Sequence, residues 1–245
     1  MPASTSVVVV FLVQALSGFS TKWFAALADD PPLHIAVKNS LIIAVTTAIL
    51  STTLAVFAAR ASTRYRFPGK GGLMGLIMLP LVLPEIIVAV SLLSVLLMIG
   101  VKLSIFTVIL GHVLVCTPFC IAILSSAFQS LDRSLEEAAY DLGETSFSTF
   151  RLIILPLVMP GIISSLLITF TISLDEFIMA FFLAGTEATL PVYIFSQFRF
   201  PQAVPVIMAL GTLLVLSSIL LLSIAEYFRR RGIAKTGGKD TGGFL

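Results

Sequence analysis

Charge is scarce in this chain. Asp, Glu, Lys and Arg make up 11% of its 245 residues, against 58% hydrophobic residues and a mean hydropathy of +1.07. A soluble domain carries about twice that share of charge, so a single water-solvated core is excluded. The net charge of +2 gives no electrostatic footprint for nucleic acid. Cysteine is nearly absent too. Cys116 and Cys120 both lie inside an apolar run, which excludes a disulfide scaffold. With His112 they share one face of a helix at four-residue spacing. A metal site is the sharper reading of that trio, and polarizable side chains packed between helices the better supported one, so no metal is expected. No phosphate-binding loop occurs: Lys70 follows Gly69 but precedes Gly71, and Lys239 follows Gly238 but precedes Asp240. The chain is not expected to hydrolyse ATP or to carry catalytic residues. The alternation that marks a membrane β-barrel is missing as well.

What remains is long apolar runs, so the fold class expected is all-α, a polytopic membrane protein of about six spans. The segments run near 7–19, 39–59, 73–99, 103–128, 152–172 and 206–227. The first spans only about 20 Å, short of a hydrocarbon core of about 30 Å. It lacks the basic start of a signal peptide. Pro80 and Pro84 interrupt the third. Residues 173–205 are too broken by Gly185, Pro191, Pro201 and Pro205 for a simple span and read as a re-entrant or interfacial piece. Residues 232–245 read as a flexible tail. The whole of 1–245 reads as one transmembrane domain.

Basic residues set the orientation. With both termini inside, the inner loops hold Arg60, Arg64, Arg66, Lys70, Arg133, Arg151, Arg229, Arg230, Arg231, Lys235 and Lys239, and the outer loops hold Lys22, Lys38, Lys102 and Arg199, eleven against four. The default role of the Arg64–Lys70 cluster is topological, with attraction to anionic lipid second.

A polar island at 129–151 therefore faces the cytoplasm. It contains Glu137-Ala138-Ala139 and, after three intervening residues, Gly143; nine further residues separate Gly143 from Ile153-Ile154-Leu155-Pro156, where the next apolar segment begins. Ser134-x-x-Glu137 has the spacing of a capping box that starts a short helix. Ala138 and Ala139 give it a small-sided face, Gly143 permits a left-handed turn, and Pro156 falls in the first turn of the next apolar segment. This pattern resembles the EAA coupling loop of permease subunits of bacterial ABC importers, at every fixed position and spacing. The resemblance implies a MetI-like permease fold in the bacterial inner membrane. It implies that Glu137, Ala138, Ala139, Gly143, Ile153, Leu155 and Pro156 couple the chain to a separate ATP-binding subunit dimer, which binds the ATP and Mg. A second homologous permease and a periplasmic solute-binding protein complete the expected complex.

Three acids mark a candidate solute path. Glu85 follows Leu79-Pro80-Leu81-Val82-Leu83-Pro84, about 18 Å along the third segment and near the bilayer midplane. An acid there costs several kcal/mol unless it faces a cavity or partner. Either it lines the path or it satisfies backbone groups freed by proline. Asp175 and Glu176 follow the fifth segment, as an acidic gate at the outer face or as a solvated helix end. The blocks Phe67-Pro68-Gly69, Leu79–Ile86, Leu131–Ala139, Leu174-Asp175-Glu176-Phe177 and Leu190–Ile194 are similar to permeases of spermidine/putrescine importers. That resemblance implies polyamine import. Ferric iron, an opine-like compound or another amine carried by the same machine is the alternative, and a stand-alone secondary transporter or membrane enzyme is the more distant one.

Overall fold

The computed structural model describes residues 22–236. The chain opens with α1 (Lys22–Ala28) and α2 (Pro31–Arg64). Asp30 caps α2: its carboxylate accepts the Leu33 N–H at 3.2 Å, and Pro31 and Pro32 occupy first-turn positions where no N–H is missed. There follow α3 (Lys70–Met78), a 3-10 turn (Leu79–Leu81), α4 (Glu85–Met98) and α5 (Ile105–Gln129). The polar island forms α6 (Ser134–Asp141) and α7 (Ser146–Thr149). A π-helical turn (Phe150–Ile154) joins α7 to α8 (Leu155–Asp175). Last come α9 (Ile178–Leu183), α10 (Leu190–Gln197) and α11 (Val204–Thr236).

The core is built around α2, which packs on α5 and α8. Its inward residues recur every three or four positions: Ala36, Ser40, Ala44, Thr47, Ser51, Ala55 and Ala59 are all buried. Small side chains let three backbones approach closely where lipid supplies no hydrophobic drive. The hydroxyls of Thr47 and Ser51 in this stripe are buried without a hydrogen-bond partner, whereas polar groups beside them pair across the seam. Thr52 Oγ1 lies 3.4 Å from Ser165 Oγ, and Cys120 Sγ lies 2.8 Å from Thr169 Oγ1. Cys120 is thus a packed member of a small polar cluster. The outer face of α2 is apolar and exposed, with Ile35, Ile49, Leu54 and Phe57 each more than half exposed, as a lipid-facing surface requires.

One expectation is corrected. Among the described residues four helices are long and apolar enough to cross a membrane, within 31–64, 105–129, 146–175 and 201–224. A fifth span exists only if the pair 70–81 and 85–98 is taken as one, and that pair bends by 103°. Pro84 causes the break: it cannot donate to the ladder, and its backbone is extended at ψ 127°. Six spans are therefore not what these residues form, and the segment 7–19 lies outside them. α11 continues through Thr236, so residues 232–236 of the tail are helical; residues 237–245 lie outside the described residues. The stretch 173–205 does break into short pieces, as its glycines and prolines suggested.

Gly161 on α8 is a point of close approach between helices. A Cβ there would stand 2.9 Å from Ala127 Cβ, a short side chain that cannot swing away. Gly161→Ala should force α5 and α8 apart and destabilise the protein by about 1–3 kcal/mol, the usual scale of overpacking. A thermal-unfolding midpoint of the purified variant equal to that of the parent would show that this interface has slack.

Candidate functional site

Two groups of polar residues stand out, at opposite ends of the helix pair α2/α5. The first is the island 129–151. Its short helix forms, but Ser134 is the first helical residue and not the cap. The capping-box expectation is replaced by Asp132, whose Oδ1 accepts the Ser134 N–H at 3.0 Å. That bond holds the exposed Asp132 carboxyl below the usual carboxylate range. At the other end, Gly143 has φ +85°. The Glu144 N–H reaches the Ala139 carbonyl at 3.0 Å and the Gly143 N–H reaches that of Tyr140 at 2.9 Å, a Schellman closure that needs a left-handed residue.

Glu137 and Ala138 are exposed, whereas Ala139 is 3% exposed and faces the chain's own core. Only one of the two alanines is thus presented outward. Leu142 and Phe147 are 85% and 73% exposed, an apolar surface beyond anything the motif itself signals. Ile153 and Leu155 flank the buried Ile154, and Pro156 sits in the first turn of α8. Because Pro156 has no N–H and its ring crowds the preceding turn, the helix widens before it: the Leu155 N–H reaches back five residues to Phe150.

The island is fastened to the end of α2. Arg64 Nε approaches Glu136 Oε1 to 2.8 Å, as an ion pair without hydrogen-bond alignment, and Arg64 Nη2 donates to the Leu131 carbonyl at 3.1 Å. The Arg60 guanidinium lies 4.5 Å above the Phe150 ring. Leu131 and Ile154 sink into one cluster with Ala55, Val56, Ala59, Leu124 and Phe128. Sequence reading took the arginines as topological. It missed their partners because Arg64 and Glu136 are brought together only by the packing of α2 on α5.

The second group lies near the start of α5. His112 is about 10 Å in from Ile105, and so about 25 Å from Gln129, where the island begins. Its Nδ1 is 2.7 Å from Ser173 Oγ and its Nε2 is 3.1 Å from Glu176 Oε2. Glu176 also caps α9, accepting the Met179 N–H at 3.0 Å and the Ala180 N–H at 3.2 Å. This carboxylate is braced on three sides. Glu85 comes up against it. The 103° break puts Glu85 in the first turn of α4, where a helix N-terminus favours an acid. Glu85 therefore does not lie partway along one continuous helix, and Glu176 is no solvated helix end: the two acids meet.

Asp175 diverges from this pair. It is exposed, lies 3.4 Å from Ser218 Oγ, and lines an open cavity of about 280 Å³ with Phe177, Phe195 and Phe198. Phe177, Phe181 and Phe195 pack together at 5.1–5.9 Å between centroids. His112 was visible in the sequence as a polar residue in an apolar run, but its pairing across 64 positions was not. Among the described residues no group of His, Cys, Asp and Glu has the arrangement of a metal site.

Comparison with known proteins agrees with this architecture. Residues 51–233 match the family described as "Binding-protein-dependent transport system inner membrane component". The chain is 38% identical over 228 residues to the putrescine transport system permease protein PotI of Escherichia coli, covering 90% of this chain and 81% of that one. It is 32% identical over 222 residues to the spermidine/putrescine transport system permease protein PotC of Shigella flexneri, covering 90% and 84%. Among solved structures it resembles the inward-facing MetNI methionine ABC transporter, with TM-score 0.67, 16% identity and coverage of 82% of this chain and 95% of that one. It also resembles a bacterial alginate ABC transporter bound to its periplasmic protein, with TM-score 0.66, 19% identity and coverage of 91% and 85%. These last two show the fold alone. The chain belongs to the family of inner-membrane components of binding-protein-dependent transport systems, and is a permease subunit of an ABC importer rather than an enzyme.

Proposed function

We propose that the solute is a polyamine, spermidine or putrescine, and that Glu85 is the acceptor it meets in this subunit. The observation that carries this is the contrast between the two neighbouring acids. Glu176 is buried, accepts two N–H groups and has the His112 imidazole beside it without hydrogen-bond alignment, so it is committed to the fold. Glu85 is only partly buried, beside Leu83, Ile86 and Ile87, which are exposed. A polyamine is a string of ammonium groups on an apolar chain, and a carboxylate set in apolar surface suits it. The names of the relatives point the same way. Asp175, with the phenylalanines around it, is a second acceptor on the route.

The whole chain is one permease domain of about six spans with both termini in the cytoplasm. An ATP-binding dimer sits beneath the loop and engages Glu137, Ala138 and the exposed Leu142 and Phe147. A homologous permease faces this chain across the pathway, and a periplasmic binding protein delivers the solute. Closure of the ATPases on ATP displaces the loop, and the helices rock between outward and inward openings.

Three outcomes are expected. Glu85→Gln should lower amine uptake by about tenfold, the scale of one charge-assisted hydrogen bond, with unchanged co-purification of the ATPase; uptake at the parent rate removes Glu85 from the path. Gly143→Val places a β-branched residue at φ +85°, a strain of about 1–3 kcal/mol. It should lower solute imported per ATP hydrolysed without blocking membrane insertion. His112→Leu leaves the Glu176 carboxylate short of a partner in a water-poor site and should destabilise the chain on the order of 3 kcal/mol. His112→Gln, which can still donate, should cost less, and equal thermal midpoints for the two would argue that the imidazole contact is incidental.

A further inference from the structure

We propose that Arg64 is the positioning residue that passes displacement of the loop into α2, and that α2 carries it to the segment beside the acid pair. This rests on the coupling role proposed above. The two adjacent acids of the loop face different ways. Glu137 is exposed and free to meet a partner. Glu136 turns inward onto Arg64 at 2.8 Å, and the two side chains are 14% and 11% exposed. Arg64 also holds the Leu131 carbonyl, and one turn back Arg60 covers Phe150. Both ends of the island are thus pinned to the last turns of one helix, at Leu131/Glu136 and at Phe150.

That helix reaches the other group of polar residues. Near its start, Asn39 Nδ2 donates to the Ala188 carbonyl at 2.9 Å, and Ser40 Oγ accepts the Leu190 N–H at 2.8 Å. These bonds hold the link between α9, which Glu176 caps, and α10. Ser40 and Arg64 are separated by about 36 Å of unbroken helix. Within the described residues α2 therefore joins both ends by polar contacts: charge and carbonyl contacts at the loop, amide and hydroxyl contacts beside the acid pair. A helix is stiff along its axis, so an ion pair at one end moves the other. Spatial intermediacy alone does not establish coupling, which makes the ion pair the place to test it.

The test uses the complete complex, with ATPase subunits, partner permease and binding protein, in proteoliposomes, and reads radiolabelled putrescine imported per ATP hydrolysed. Arg64→Gln and Glu136→Gln should each lower that ratio by about fivefold or more, the lower end of typical coupling free energies, while ATP hydrolysis and co-purification persist. The double variant should be no worse than either single one, and Arg64→Lys, which keeps a cation opposite Glu136, should retain more coupling than Arg64→Gln. A parent-like ratio in Glu136→Gln, or additive losses in the double variant, overturns the proposal. If Arg64→Gln fails to assemble, Glu136→Gln decides alone, because it leaves the Arg64–Leu131 bond in place. Gly143→Val separates the two levels: uncoupling there with a parent-like Glu136→Gln sinks only the relay, whereas a parent-like ratio in both sinks the coupling role of the loop.

Discussion

A carboxylate or free amide inside a hydrocarbon layer has no water to turn to, so it must find its partner in protein. Much of this molecule follows from that. The pair of prolines that break the third apolar segment leave a helix N-terminus inside the structure, and Glu85 occupies it. Where α8 stops, Glu176 takes up the first free N–H groups of α9, and the imidazole of His112 closes the remaining side. Thr52 with Ser165, and Cys120 with Thr169, pair across the α2, α5 and α8 seam for the same reason. Breaks in membrane helices and buried charges are therefore linked features here: each break creates donors, and an acid beside it makes use of them.

The same rule separates the roles of neighbouring residues that look alike in sequence. Asp175 and Glu176 are adjacent, yet one faces an open aromatic-lined cavity and the other is enclosed by two N–H groups and a ring. Glu136 and Glu137 are adjacent, yet one is paired with Arg64 and the other is exposed. Glu136 and Glu137 divide because consecutive side chains on a helix point about 100° apart, and Asp175 and Glu176 divide because α8 ends between them, Glu176 having an extended backbone.

Much of the loop was legible. The left-handed Gly143, the short helix before it and Pro156 in the first turn of α8 all follow from local backbone chemistry, and all are found. The capping residue was misjudged because Asp132 competes from two residues upstream with a better acceptor than a serine hydroxyl. Glu85 and the 173–205 stretch were legible as exceptions in an apolar chain. Their meeting was not, since it depends on a 103° bend, and sequence signals that a proline will break a helix without giving the angle. The arginines of the α2 end were assigned by counting charges, a rule about the membrane that carries no information about side-chain partners.

The amino-acid order by itself determined the class of molecule and its punctuation. Long apolar runs dictate helices, because only a helix satisfies its own backbone in lipid, and glycine and proline fix where the chain turns; these are properties of a few consecutive residues. The tertiary structure decided which polar groups meet: His112 with Glu176, Glu85 with Glu176, Arg64 with Glu136. Those pairs join residues 64 to 91 positions apart. Their proximity is set by the rotation and bend of whole helices against one another, to which many small packing contacts contribute and no short stretch of sequence dictates.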